Sequence, residues 1–220
     1  MTEPKSMCAE QIWCAVDIER VSVAEMLQNL PERDWDHTSL CDGWRVRDVA
    51  AHLVLSARPT IGWLLLNLAR ARGSLNRAIR DTAIRHADTR TGAQLLSELR
   101  ATAGARATPA GTTPQDRLMD LLVHGQDIAI PLGIARTVPA AAARSALDRI
   151  WHTGAPFHAR RKFDGYRLAA TDIGWVAGAG PVIEGSATDV LLVLTGREPA
   201  AGRLTGDGAL RWTARHDPSR

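Results

Sequence analysis

The feature that most constrains the fold of this chain is a series of four segments with helical periodicity, which occupy its N-terminal part. In each segment apolar residues recur at spacings of three and four, the period of an amphipathic helix. The segments are Glu10 to Leu30, Val46 to Arg72, Thr91 to Ala105, and a fourth that opens with Thr113 as cap and Pro114 at the first helical position. We expect Pro59 to kink or break the second segment. Because no convincing strand lies between the segments, the pattern predicts an α-helical bundle.

The sequence changes character after Gly133, where glycines become frequent and short β-like runs appear. The segments predicted there are a helix at Pro139 to Trp151, strands at Tyr166 to Ala170 and Gly174 to Ala177, and a helix between the cap Ser186 and the stop Gly196. We therefore predict an α+β chain, in which a four-helix bundle at residues 1–137 is followed by a small α/β domain at residues 138–220.

Composition excludes several classes of protein. With 45% hydrophobic and 23% charged residues, the chain has the average make-up of a globular protein. Its 24 acidic residues are interleaved with 27 basic ones and no aromatic-basic motif appears, so we do not expect nucleic-acid binding. The most apolar stretch, Ile61 to Leu68, is too short to span a membrane. Cys8, Cys14 and Cys41 form no disulfide framework, which favours the cytoplasm, and they are too few and too poorly placed to be metal ligands.

Two residues of the fourth helix have the spacing of metal ligands. Asp120 and His124 are four residues apart, so both side chains lie on one face of the helix. Taken alone, such a pair is more often a surface salt bridge. Asp127, three residues further on, either orients the His124 ring or is an ordinary solvated charge.

His52 stands in an apolar run of the second helix, where a lone histidine is more often a hydrogen-bonded core residue than a ligand. His52 becomes a candidate ligand only together with the pair on the fourth helix, since a bundle can project His52 from one helix toward Asp120 and His124 on another. Three ligands with an open fourth position are typical of a catalytic rather than a structural zinc site. Cys41 precedes the same helix and could lie near a metal, but a buried or incidental thiol is the favoured interpretation.

The residues Leu40 to Leu53 resemble the entry to the second helix of the mycothiol-dependent maleylpyruvate isomerase family, part of the wider DinB-like group of metalloenzymes. They contain its C-x-G-W-x-V-x-D-x-x-x-H-L pattern, in which the histidine corresponds to His52. The segment Asp120 to Asp127 is similar to the family's E-x-x-x-H-x-x-D motif, with aspartate in place of the usual glutamate. The C-terminal segments from Gly178 to Asp189 and from Leu194 to Arg197 are similar to the small domain of these proteins.

This resemblance implies a divalent metal, with Zn²⁺ as the first choice, held by His52, Asp120 and His124. It also implies mycothiol as a thiol cosubstrate, whose metal-bound thiolate adds to a small electrophile in an isomerase or S-transferase reaction. Arg197 is the candidate partner for an acidic substrate. The partners implied are therefore small molecules. We expect a monomer or homodimer that binds neither nucleic acid nor membrane.

Two other hypotheses stay open at this point. Because the aspartate shortens the third ligand by one methylene, a metal-binding protein that has lost turnover is one alternative. The other is a helical protein without metal, in which His52 and His124 are structural.

Overall fold

The structure is a computed structural model that describes residues 7–58, 73–109 and 111–216. It divides into two compact units, one formed by Cys8–Arg136 and the other containing the chain from Thr137 onward. The sequence analysis placed the domain boundary after residue 137.

The described part of the N-terminal unit is helical. It contains α1 (Ala9–Gln28), a short 3-10 helix (Glu32–Asp36), α2 (Val46–Ser56), α3 (Leu75–Asp88), α4 (Gly92–Arg100) and α5 (Pro114–Ala129). Four of these are the predicted helices, although the rest of the second predicted segment, with Pro59 and the apolar run Ile61 to Leu68, lies outside the described residues.

Helix α3 was not predicted, because the face that it buries consists of small side chains. Its buried residues are Ala78, Thr82, Ala83 and Ala87, which give a weak apolar periodicity. The Ser74 side chain caps the helix by accepting from the Arg77 backbone N–H.

Helix α5 begins with the capping box that the sequence predicts. The Thr113 backbone N–H donates to Asp116 Oδ2 at 2.7 Å, and the Thr113 side chain accepts from the Asp116 N–H. Leu118 and Leu122 of this helix are fully buried, and α5 packs against both α1 and α2. Each fully buried leucine side chain contributes roughly 1.5–3 kcal/mol to stability, so the packing fixes which face of α5 is turned toward α2.

The C-terminal unit is a small α/β domain. Its elements are α6 (Ala140–His152), α7 (Ala159–Lys162), β1 (Arg167–Ala170), β2 (Trp175–Gly178), β3 (Val182–Gly185), α8 (Ala187–Leu194), a 3-10 helix (Glu198–Arg203) and α9 (Asp207–His216). The strand order is β2-β1-β3, with β1 antiparallel to β2 and parallel to β3. Strand β3 was not predicted, since four residues between Pro181 and Ser186 carry little periodicity.

The predicted α+β class, a helical bundle followed by a small α/β domain, is thus confirmed. The predicted cap of α8 is also confirmed, because the Ser186 hydroxyl accepts from the Asp189 backbone N–H at 3.1 Å. Among the described residues, no helix combines the length and the apolarity needed to cross a membrane.

Candidate metal centre

A short hairpin-like loop sets the start of α2 and thereby the position of His52. The Ser39 N–H donates to Trp44 O at 2.9 Å, and the Trp44 N–H donates to Cys41 O at 3.0 Å. Gly43 lies at the tight end of this loop with a φ of 69°, a conformation that other residues adopt only at a cost. These bonds lead the chain into α2 at Val46.

Asp48 then anchors the first turn of α2. Its Oδ2 accepts from the Arg45 backbone N–H at 2.8 Å, and its Oδ1 accepts from Arg45 Nη2, also at 2.8 Å. The Asp48 residue is 1% exposed, so the capping bond is protected from water. Since His52 follows Asp48 by one helical turn, the same anchor fixes the direction in which the imidazole points.

The structure brings His52 of α2 together with Asp120 and His124 of α5. Asp120 Oδ1 lies 3.4 Å from His52 Nε2 and 3.4 Å from His124 Nε2. The ligand atoms of all three residues are within 4.8 Å of one another. The three side chains predicted from different helices therefore converge on one point.

The distances around Asp120 Oδ1 can be compared with those of a metal site. At 3.4 Å the nitrogen–oxygen contacts are longer than the usual range of about 2.7–3.2 Å for an N–H···O hydrogen bond. Ligands placed about 2.0–2.2 Å from a tetrahedral ion lie about 3.3–3.6 Å from each other. The two contacts of Asp120 Oδ1 thus have the length of two edges of a metal tetrahedron, and in the metal-free protein they are long hydrogen bonds.

Asp127 fixes the orientation of the His124 ring. Its Oδ2 lies 2.8 Å from His124 Nδ1, and its side chain is fully buried. With Nδ1–H donating to Asp127, the lone pair of His124 Nε2 faces Asp120 Oδ1. Two acceptors that face each other in a buried site require a positive charge between them, either a proton or a metal ion.

The electrostatics of the site agree with this requirement. Burial by itself lowers the pKa of His124, but hydrogen bonds and charges from Asp120 and Asp127 outweigh it and raise the pKa to about 9. Burial likewise tends to raise the pKa of Asp120, yet the charges of His52 and Arg117 and the contact with His124 hold it well below 3.8. Burial lowers the pKa of His52 below its usual 6.5. In the metal-free protein, one proton on His124 therefore balances the Asp120 carboxylate at neutral pH.

Two residues of the site were missed by the sequence analysis. Trp44 is 5% exposed, and its ring lies 5.3 Å from the His52 ring and 6.0 Å from the His124 ring, centroid to centroid. Arg117 Nη1 donates to Asp120 Oδ2 at 2.9 Å. The signal for Trp44 was its place in the motif ahead of His52, and the signal for Arg117 was its spacing of three residues from Asp120.

Cys41 lies near the site, which was the less favoured of the two interpretations of this residue. Its sulfur forms a second group of potential ligand atoms with His124 and Asp127, again within 4.8 Å of one another. The loop that carries it is tied to the end of α5, because the Leu40 N–H donates to Asp127 O at 3.0 Å. The tertiary contact that brings Cys41 there, between Leu40 and Asp127, has no signal in the sequence.

Arg197, the predicted partner of an acidic substrate, belongs to the C-terminal unit. It precedes the 3-10 helix Glu198–Arg203 and its Nη1 donates to Thr195 O at 2.9 Å. Its role toward a substrate stays a prediction.

Comparisons with known proteins point to the family that the sequence motifs resemble. A family model described as the mycothiol maleylpyruvate isomerase N-terminal domain matches residues 16–116, a range that includes His52 but ends before Asp120. A search of curated protein sequences found no match. Two crystal structures of the mycothiol-dependent maleylpyruvate isomerase, one of them a histidine-to-alanine mutant, match over 94% of this chain and 97% of theirs.

The TM-scores of these two matches are 0.64 and 0.63, with sequence identities of 16% and 15%. Identities this low establish the fold alone. Residues 16–116 thus match the N-terminal domain model of the mycothiol maleylpyruvate isomerase family, and the chain as a whole has the fold of these two structures.

Proposed function

We propose that His52, Asp120 and His124 hold a divalent metal ion, with Zn²⁺ as the first choice. Two imidazoles and one carboxylate are a donor set that zinc accepts in catalytic sites. The observation that carries the proposal is the placement of Asp120 Oδ1 at 3.4 Å from both imidazole Nε2 atoms. Asp127 supports it, because a carboxylate on the far ring nitrogen of a ligating histidine is the usual partner in such sites.

We further propose that the protein is an enzyme that uses a low-molecular-weight thiol of the mycothiol type. A divalent ion in the site would lower the pKa of a bound thiol and so make a thiolate available at neutral pH. A small electrophile is the corresponding substrate, either isomerised at a conjugated double bond or converted to a thioether by S-transfer. The two related structures are named as isomerases. We place the reaction in the cytoplasm, where such thiols are kept reduced.

The chain's own residues serve this chemistry by orienting and enclosing the site. Asp127 holds His124 in the tautomer that points Nε2 inward. Trp44 covers the two imidazole rings on one side and shields them from water.

The alternative is a metal-binding protein of the same fold without turnover. The aspartate at position 120, where the family motif has glutamate, favours it, because a shorter ligand alters the reach toward the ion. Activity decides between the two functions, since both require the same metal site.

The test has two stages. Purified protein is stripped of metal, reconstituted with Zn²⁺, and analysed for bound metal beside His124→Ala and the control His86→Ala, whose imidazole contacts Glu98 in another part of the bundle. We expect one ion per chain in the wild type and the control and none in His124→Ala. Equal binding by all three proteins contradicts the site.

The metal-loaded protein is then incubated with mycothiol and either maleylpyruvate or a panel of electrophiles. Product formation that the His124→Ala variant lacks supports the enzyme. Stoichiometric metal without consumption of any substrate supports the binding protein instead.

A further inference from the structure

We infer that Arg117 is a positioning residue, which orients the Asp120 carboxylate so that only one of its oxygens faces the metal site. The inference rests on the proposed function and concerns how the aspartate serves as a ligand. Arg117 Nη1 lies 2.9 Å from Asp120 Oδ2, whereas Oδ1 is the atom equidistant from the two imidazoles. The two oxygens of one carboxylate therefore have separate partners.

The arrangement restricts the rotation of the carboxylate. A free aspartate can turn about its last bond and offer either oxygen, or both, to a cation. A charge-assisted hydrogen bond to Oδ2 holds the plane of the group, because rotation would break a contact between opposite charges. Arg117 and Asp120 are three residues apart on α5, so the same rigid helix carries both ends of the restraint.

A purely structural role does not account well for an arginine at this place. The Arg117 side chain is 7% exposed, and its buried Nε has no hydrogen-bond partner among the described residues. A second buried guanidinium, that of Arg20, lies near enough for the charge of Arg117 to contribute to lowering the pKa of Arg20. Both features oppose the burial of a guanidinium, and the contact with Asp120 is the favourable interaction that offsets them.

The positioning role and a simple charge effect have opposite consequences for metal binding. As a charge alone, Arg117 repels a cation, so its removal would tighten the binding of a divalent ion. As a positioning residue, Arg117 preorganises Asp120, so its removal weakens binding and changes the geometry at the ion. The sign of the effect therefore separates the two.

The experiment compares Arg117→Met, Arg117→Lys and wild type in titrations of the metal-free proteins with Co²⁺, which reports geometry through its visible absorption. We expect Arg117→Met to bind Co²⁺ about 10–100-fold more weakly, the usual loss when a partner of a ligand is removed. Its absorption spectrum should change as Asp120 rotates. Arg117→Lys keeps the charge without the planar fork, so we expect an intermediate affinity.

Arg20→Met is the matched control, because it also removes a buried guanidinium but one that contacts Asp17 and Ala105 O. It should lower stability and leave the Co²⁺ affinity and spectrum unchanged. If Arg117→Met does not fold, Arg117→Lys decides by the same two readouts.

Affinity equal to or tighter than that of the wild type, with an unchanged spectrum, overturns the positioning role while the metal site stands. A wild type that binds no Co²⁺ overturns the metal site itself and this inference with it.

Discussion

Metal binding should release close to one proton per ion at neutral pH, and this number follows from the site. The pKa of His124 is raised to about 9 by Asp120 and Asp127, so the metal-free protein carries a proton on this imidazole at pH 7.5. Asp120 and His52 both have lowered pKa values and are already deprotonated there. Among the three side chains, a metal ion displaces only the proton on His124, because ligands must be deprotonated.

The release of one proton also sets how steeply the metal affinity depends on pH. With one proton released, the apparent dissociation constant falls about tenfold for each pH unit, or about 1.4 kcal/mol, as long as His124 is protonated in the free protein. The dependence should hold from about pH 7 to the pKa of about 9 and then flatten. Isothermal titration calorimetry with Co²⁺ in buffers of different ionisation enthalpy measures the proton count directly.

Asp127→Asn is the matched variant for this experiment. Loss of the buried carboxylate removes one of the interactions that raise the pKa of His124, so fewer protons should be released at pH 8. A wild type that releases no proton refutes the reasoning, as does an Asp127→Asn variant with an unchanged count.

The same pKa links pH to stability without metal. Because the pKa of His124 in the fold lies above the 6.5 of the unfolded chain, its contribution is fully present below about pH 6.5 and is lost as the pH rises through about 9. Thermal unfolding of the metal-free protein should therefore show falling stability over this window, and His124→Gln should remove that part of the fall.

Three further predictions concern the scaffold. Asp48→Ala should lower the free energy of unfolding by about 1–3 kcal/mol, because the buried bonds that begin α2 are lost, and should also weaken Co²⁺ binding through His52. Gly43→Ala should cost about 1 kcal/mol through its positive φ, whereas the control Gly154→Ala, which has no such conformation and no close neighbour, should not. Leu122→Ala should cost about 2–5 kcal/mol by leaving a cavity beneath α5. Urea unfolding measures all three, and an unaltered midpoint contradicts the prediction concerned.

The helices that carry the candidate ligands could be predicted because their signals are local. Thr113, Pro114 and the apolar period define α5 within one stretch of sequence, and the same period places Asp120 and His124 on one face. Helix α3 was not predicted, because the alanine and threonine side chains on its buried face differ little in hydrophobicity from the exposed side. Local pattern therefore identifies elements with large apolar side chains better than it identifies those packed through small ones.

The contacts across helices are the part that sequence could not supply. The approach of Trp44 to both imidazoles depends on how α2 and α5 pack, and the proximity of Cys41 to Asp127 depends on a loop that returns to the end of α5. Arg117 could be suspected from its spacing to Asp120, but which carboxylate oxygen it holds depends on side-chain rotation. These relations arise from tertiary packing, which periodicity does not encode.

Asp127 acts on the centre through two different groups. Its side chain holds the His124 ring, while its backbone oxygen accepts from the Leu40 N–H and so ties the loop that leads to His52. Asp127 thus connects both histidine-bearing segments through direct hydrogen bonds between protein groups. Small zinc domains, by contrast, fold only around their metal. In this protein, prolonged chelation should therefore yield an emptied but folded chain that takes up metal again without refolding.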